Sequence, residues 1–408
     1  MRTLSSDDHV IVVGAGLAGW RLVQALRREG FDGALTLIGD EADPPYDRPP
    51  LSKQVLVGKW SLDQTLLATD ELLAEARVTM RLGVAATGLD VATTTVHLSD
   101  HTSVSGSHVV IATGARARRL PFDADRRLHT VRTRSDVARL DRELATTAPG
   151  SVIAVIGGGF IGAEVATALH TRGYRVVVLE VAERPLINVL GATVASWLET
   201  LASAAGVELR TEQHIRDVLE IDDGLDVVFD DASVLRAALV IVGAGAHTND
   251  EWLATSGLTL DNGVVVDQHC LATDRVAAIG DVARFTWPNV SGSQLARIEH
   301  WQIANEHAQA LAHFWVTGES PTELLVPYFW SDQYGKKIQL LGHPWPSDDV
   351  VRVSGSDDLA QWLALYSRDG VVTGVVTLSH PRALMLSKEL LDAPTTLAEA
   401  LARSPWAR

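Results

Sequence analysis

Cysteine is nearly absent: the 408 residues hold one, Cys270. An internal disulfide, a Cys-x-x-Cys redox pair and a multi-cysteine metal site are therefore excluded. Cys270 lies in VVVDQHCLATD and reads as a buried structural thiol with no chemistry of its own. Basic residues are short too. Lys and Arg number 35 against 51 Asp and Glu, a formal net charge of −16. No broad cationic face is available to neutralise phosphates, so non-specific nucleic-acid binding is disfavoured and solubility favoured. Long apolar runs are lacking. The nearest to one, Val152 to Leu169, is interrupted by Gly157, Gly158, Gly159, Gly162 and Glu164. A spanning helix needs about 20 predominantly apolar residues. The N-terminal MRTLSSDDHV has no basic-apolar-small signal pattern. The expectation is a cytoplasmic protein with no metal site and no membrane partner.

What is present is a pair of glycine fingerprints. VIVVGAGLAG runs from Val10 to Gly19, and VIAVIGGGFIG from Val152 to Gly162. Each is a β-branched strand breaking into a glycine turn and opening onto a helical pattern. In such a unit the first glycine allows the turn and the second lets backbone approach a pyrophosphate. The third lets helix and strand pack closely. The helix N-terminus offers free N–H groups and a positive dipole end to the phosphates. One fingerprint is weak evidence. Two in one chain suggest two dinucleotides in one enzyme, and the chain length fits two or three domains at ~150 residues each.

The first unit places Gly14, Gly16, Leu17 and Ala18 at the turn and helix start. Ala18, Leu22, Ala25 and Leu26 recur at helical spacing, and Gly30 stops the helix. The next strand, Ala34 to Ile38, ends at Gly39-Asp40-Glu41. An acid there can accept from an adenosine ribose; Asp40 and Glu41 both qualify. Tyr46 to Lys53, YDRPPLSK, is held extended by its prolines, with Ser52 placed to cap a short helix. Ala112-Thr113-Gly114 ends a strand on small residues, which suits close approach of a ligand. In the second unit, Ile161, Val165, Ala168 and Leu169 form the helix's apolar stripe. Glu180 ends the following strand at near the ~20-residue spacing of a ribose acid. A carboxylate there accepts from the hydroxyls of NAD and repels the extra phosphate of NADP, while Arg184 is the one competing feature. Ala238 to Val242 runs into Gly243-Ala244-Gly245, and Thr273 to Asp281 reaches a Gly-Asp turn. From about residue 326 the pattern becomes α+β. Strands are expected over Lys336–Leu341, Val350–Val353 and Trp362–Tyr366, then an Asp369-Gly370 hairpin into Val371–Val376 and a helix from Pro381 to Leu391.

The order GAGLAG, GDE, YDRPPLSK, IATGA, GGGFIGAE, LE, GAGAHTN, AIGD, IEHW and FWSDQ resembles the FAD-dependent ferredoxin reductases of bacterial ring-hydroxylating dioxygenases and haem monooxygenases. Putidaredoxin-reductase-like and rubredoxin-reductase-like proteins belong to that group. The resemblance spans the chain, and YDRPPLSK and FWSDQ are its most particular parts. It implies an α/β fold with two Rossmann-like nucleotide-binding domains, for FAD and NAD, arranged as in glutathione reductase, plus a C-terminal α+β domain. The FAD domain is expected at 1–115 and 246–325, the NAD domain at 116–245 and the C-terminal domain at 326–408. Gly14, Gly16, Leu17, Ala18, Asp40, Glu41, Arg48, Lys53, Ala86, Ala112, Thr113, Gly114, Arg132, Gly280, Asp281, Glu299, His300 and Trp301 match the FAD side. Gly157, Gly159, Phe160, Ile161, Gly162, Glu180 and Gly245 match the NAD side. Lys53 and Glu164 match a pair beside the reactive flavin nitrogen, and Trp330 an aromatic residue on the electron exit path. These three carry the catalytic expectation.

The reaction implied is hydride transfer from NADH to FAD, then single electrons to a [2Fe–2S] ferredoxin that feeds an oxygenase. A cation at Lys53 would stabilise charge on the reduced flavin. The cysteine count decides within the wider group. Disulfide reductases need a CxxxxC pair and peroxidase-type oxidases a thiol early in the chain; Cys270 is neither, so electrons must leave to a separate acceptor. The competing acceptors are a rubredoxin, a quinone, an ascorbyl radical or oxygen. A different class of reading is a non-catalytic NADH-responsive flavoprotein. Arg116, Arg118, Arg119, Arg126 and Arg127, and separately Lys336 and Lys337, are local basic clusters that could dock an acidic ferredoxin. The expected assembly is a monomer or weak dimer.

Overall fold

Every residue of the strand His9–Val13 after the first is buried, but on alternating faces. Val10 and Val12 join one core cluster and Ile11 and Val13 another. That is the signature of a parallel strand covered on both sides. A computed structural model describes residues 3–122, 127–289, 292–320, 326–355 and 361–407. The chain divides into two units, the first made of Met1–Asp47, Leu66–Arg116 and His247–Pro327.

In this first unit the strand order is Val276–Ala278, His108–Ile111, His9–Val13, Ala34–Ile38 and Thr79–Arg81, all parallel. The helices Leu17–Arg28 and Trp301–Thr317 cover one face, burying Leu22, Leu26, Leu311 and Trp315 against Val10 and Val12. The other face packs on Val96, Leu98, Val264 and Phe285 from two small three-stranded sheets.

The second unit comprises Arg48–Thr65, Ala117–Ala246 and Tyr328–Arg408. It repeats the pattern: Glu208–Arg210, Arg175–Leu179, Val152–Ile156, Leu239–Val242 and Leu128–Thr130 form a parallel sheet in that order. The helix Phe160–Thr171 follows the second fingerprint. The C-terminal sheet is antiparallel, ordered Tyr328–Gln333, Lys336–Gly342, Val371–Leu378, Trp362–Arg368 and Asp349–Gly355. Its Ile338, Trp362, Tyr366 and Val376 share a core with Leu190, Val194 and Leu198 of the helix Ile187–Leu198. Asp369 and Gly370 both have positive φ (50° and 75°), the geometry of the expected hairpin turn.

Three local expectations are corrected. Ser52 does not cap a helix; it lies inside a π-helical turn, Leu51–Val55, and spends its hydroxyl elsewhere. Ile161 is not part of the buried stripe but 46% exposed at the start of its helix. The helix expected over 381–391 stops at Leu386, and Lys388–Leu390 is a separate short turn. Ser387 stands at the break, its hydroxyl donating back to the Ala383 carbonyl at 2.8 Å.

Candidate functional site

Two glycine cradles stand at the carboxyl ends of the two parallel sheets, where open α/β sheets place their ligands. In the first unit Gly14 has φ +120°, and a Cβ there would lie 2.1 Å from the Ala112 carbonyl oxygen. Only glycine fits. A Cβ on Gly19 would meet the Gly14 carbonyl oxygen at 2.0 Å, so helix and turn touch directly. Gly16 differs: a Cβ there meets no protein atom within 4 Å. Packing does not require glycine at that point, and the open space leaves room for a ligand to approach the backbone. The second unit has the same three relations. Gly157 (φ +101°) abuts the Gly243 carbonyl, Gly162 abuts the Gly157 carbonyl, and Gly159 faces open space. Each cradle thus fits a pyrophosphate at a helix N-terminus.

Around the first cradle the structure gathers Leu17 and Ala18 at the helix start, Ala112 beside Gly14, and Gly280, whose added Cβ would lie 3.0 Å from that of Ala18. Thr113 donates its hydroxyl to the Asn249 carbonyl at 2.6 Å, and the Asn249 amide donates back to the Thr113 carbonyl at 2.9 Å. The Gly114 carbonyl accepts from the Asn249 N–H at 2.9 Å. Asn249 is a fixing residue that sequence reasoning missed. Asp40 is exposed and, among the described residues, accepts only its neighbour's N–H, that of Glu41, at 3.0 Å. Glu41 accepts from the Tyr46 hydroxyl at 2.6 Å. The Gly280 N–H donates to His307 Nδ1 at 3.3 Å, and His307 is buried edge-on against Phe285. Burial pushes the His307 imidazole down to about 4, against a smaller opposing pull from Asp281. The Asp281 carbonyl accepts from Arg297, which also pairs with Glu299. Trp301 donates its indole N–H to Asp47 at 2.8 Å, and His300 precedes it as the helix N-cap. Ala86 opens a strand facing Leu98.

In the second unit Glu180 is held by two backbone donors, Gly158 at 2.7 Å and Ala182 at 2.9 Å. Arg184 is engaged with Glu183 and Glu199. Phe160 packs on Phe329 with ring centroids 4.4 Å apart. Gly245, at φ +93°, faces open space. Arg48 donates to the Arg132 carbonyl at 2.7 Å. Arg134, mostly buried, donates to the Leu62 carbonyl at 2.7 Å and to Asp63 at 3.0 Å, fixing the segment that carries Lys53.

Lys53 and Glu164 meet. The ammonium lies 2.8 Å from Glu164 Oε2 and, at 3.4 Å, reaches the Pro49 carbonyl. Its third N–H has no partner among the described residues. Glu164 is 3% exposed. Its carboxylate also accepts from the hydroxyls of Ser52 (2.6 Å) and Ser331 (2.7 Å) and the N–H of Asp332 (3.3 Å). Neither serine role is legible from spacing, since Ser52 and Ser331 lie far from Glu164 along the chain. Trp330 stacks on Tyr328 at 5.8 Å. Strand alternation puts that pair on the face opposite Ser331. Cys270 is buried, and desolvation pushes its thiol up to about 12, so no reactive thiolate is present.

Residues 8–308 match the pyridine nucleotide-disulphide oxidoreductase family, and residues 328–406 match the reductase C-terminal domain. The chain belongs to this family. It is 33% identical over 397 residues to rhodocoxin reductase of Rhodococcus erythropolis, covering 96% of this chain and 91% of that one. It is 34% identical to the benzene 1,2-dioxygenase system ferredoxin–NAD(+) reductase subunit of Pseudomonas putida, over 95% and 93% of the two chains. Among solved structures, a chain of the covalent putidaredoxin reductase–putidaredoxin complex superposes with TM-score 0.89 at 31% identity, over 95% and 94%. The fold is accordingly the expected one: two Rossmann-type nucleotide units and a C-terminal α+β module. This family member departs from the family's name in holding no disulfide. Among the described residues no helix is long and apolar enough to cross a membrane, and no three His, Cys, Asp or Glu side chains group to hold a metal.

Proposed function

We propose that this protein is an NADH-dependent FAD ferredoxin reductase that passes single electrons to a [2Fe–2S] ferredoxin serving an oxygenase. The observation that carries the reading is the repeated cradle: two glycine turns of one design, each with an open second glycine, in a chain whose sole thiol is buried and inert. The first cradle would hold FAD, whose chemistry, when bound, would be hydride acceptance and one-electron release.

The chain's own residues bind and orient. Gly14, Gly16 and the helix start at Leu17 and Ala18 hold the FAD pyrophosphate, with Asp40 or Glu41 on the ribose and Asp281 on the ribityl chain. Arg48, Ala86, Ala112, Thr113, Gly114, Arg132, Gly280, Glu299, His300 and Trp301 complete that side. Gly157, Gly159, Phe160, Ile161, Gly162 and Gly245 hold NADH, and Glu180 accepts from its adenosine ribose. Because both Glu180 oxygens are fixed by backbone N–H groups, the carboxylate keeps its place and repels a 2′-phosphate. Lys53, steadied by Glu164, supplies positive charge to the reduced flavin, and Trp330 lies on the exit route. In this reading residues 1–115 and 246–325 form the FAD domain, 116–245 the NAD domain and 326–408 the C-terminal domain. The protein works in the cytoplasm as a monomer or weak dimer, which sedimentation checks.

The test is anaerobic stopped-flow mixing of the FAD-loaded protein with NADH, then with a [2Fe–2S] ferredoxin. Rapid bleaching with NADH, poor bleaching with NADPH and reoxidation by ferredoxin are expected. Bleaching that ferredoxin does not reverse would move the acceptor to a rubredoxin, a quinone or oxygen. No bleaching at all would end the reductase reading.

A further inference from the structure

The Glu164 carboxylate is buried, yet it is not simply a counter-ion to Lys53. Each oxygen has two donors. Oε2 accepts from Lys53 Nζ (2.8 Å) and the Ser52 hydroxyl (2.6 Å). Oε1 accepts from the Ser331 hydroxyl (2.7 Å) and the Asp332 N–H (3.3 Å). Both serines are nearly or wholly buried, at 3% and 0% exposure. The donors come from two separate stretches of the second unit, the π-helical turn Leu51–Val55 and the strand Tyr328–Gln333, and meet on a carboxylate carried by the helix Phe160–Thr171. A lone buried Lys–Glu pair would spend the ammonium's field on the carboxylate. Here two hydroxyls and a backbone N–H share the negative charge, and charge-assisted bonds of this kind are the strong ones.

We propose that Ser52 and Ser331 are positioning residues that leave the Lys53 ammonium only partly neutralised, so that its field acts on the flavin. The proposal rests on the reading that places Lys53 beside the flavin. Removing either hydroxyl concentrates charge on Glu164, draws Lys53 toward it and weakens the stabilisation of reduced flavin.

The experiment is spectroelectrochemical titration of the FAD-loaded protein, which reads equilibrium rather than turnover. Ser331→Ala and Ser52→Ala are each compared with wild type, and Ser331→Ala is repeated in a Lys53→Gln background. Each serine variant is expected to lower the reduction equilibrium constant about 3- to 10-fold. For a two-electron couple that is a fall of roughly 15–30 mV. In the Lys53→Gln background the Ser331→Ala shift should vanish, because the charge it acts through is gone. A shift of the same size in both backgrounds overturns the proposal, as does an unchanged potential in both serine variants. If Lys53→Gln itself leaves the potential unchanged, the placement of Lys53 fails and the proposal falls with it; that failure is read separately. If Ser331→Ala does not fold, the Ser52→Ala shift, measured with and without Lys53, decides alone.

Discussion

Gly14 and Gly16 stand two residues apart and answer to different demands. At Gly14 the fold demands glycine: φ is +120° and a Cβ would sit 2.1 Å from the Ala112 carbonyl oxygen. Left-handed strain in a side-chain-bearing residue costs about 1–3 kcal/mol, and the clash adds to it. At Gly16 no protein atom lies within 4 Å of a Cβ, so packing makes no demand there and the proposed FAD pyrophosphate would make one. Gly14→Ala should therefore lose more than ~3 kcal/mol in urea unfolding of the apoprotein. Gly16→Ala should unfold close to wild type but bind FAD at least about tenfold more weakly, a difference of ~1.4 kcal/mol. Flavin-fluorescence titration measures the second effect. Were Gly16→Ala to unfold as readily as Gly14→Ala, the open space at Gly16 would have no ligand meaning.

At the scale of elements, the helix Trp301–Thr317 reaches back to the Gly280–Asp281 turn through one buried imidazole. His307 accepts the Gly280 N–H, and burial pushes its ionisation from the ordinary 6.5 to about 4. The unfolded chain therefore binds a proton more readily than the folded one between those values. Stability from this group is full above pH ~6.5 and is lost as pH falls toward 4, up to about 3 kcal/mol. His129 and His343, also held low by burial, act with the same sign in the other unit. His307→Gln keeps an acceptor but cannot titrate. Hydrogen exchange in Trp301–Thr317, followed from pH 6.5 to 4, should show a shallower acid slope in the variant; an identical slope would remove His307 from the account.

This contact also marks the limit of what sequence reveals. The fingerprints, the Glu180 spacing and the Asp369-Gly370 hairpin were legible because each is a local device, complete within a few residues of chain. The pairing of His307 with Gly280, of Asn249 with Thr113, and of Ser52 and Ser331 with Glu164 was not. Each joins residues far apart in sequence, and a serine or histidine carries no periodic signal. Ser52 misled for the same reason: its proline-flanked position suits a cap, but a buried carboxylate took its hydroxyl first. Ile161 sits at an apolar-stripe position, yet its side chain faces solvent while its neighbours Gly162 and Ala163 are buried.

At the scale of the whole molecule the question is how a chain of net charge −16 would receive the ferredoxin proposed for it if that partner is acidic. The answer must be local, because screening cuts the reach of exposed charges to ~10 Å at 0.1 M salt. The arginine-rich stretch is partly spent: Arg116 is paired with Glu251, while Arg126 lies outside the described residues. The other cluster is better placed. Lys336 and Lys337 open the strand Lys336–Gly342, hairpin partner of the strand that carries Trp330. Lys337 lies 3.3 Å from Asp332, an exposed pair worth little in itself. Reversing both charges would leave Asp332 beside two further carboxylates and turn the patch acidic. Lys336→Glu/Lys337→Glu should raise the Michaelis constant for a [2Fe–2S] ferredoxin about tenfold at low ionic strength and flatten its dependence on salt. Ferricyanide, small and needing no docking patch, should be reduced at the wild-type rate. Equal losses with both acceptors would mean that the substitutions damage the flavin unit rather than a docking surface, and no loss with either would send the search to Arg118 and Arg119.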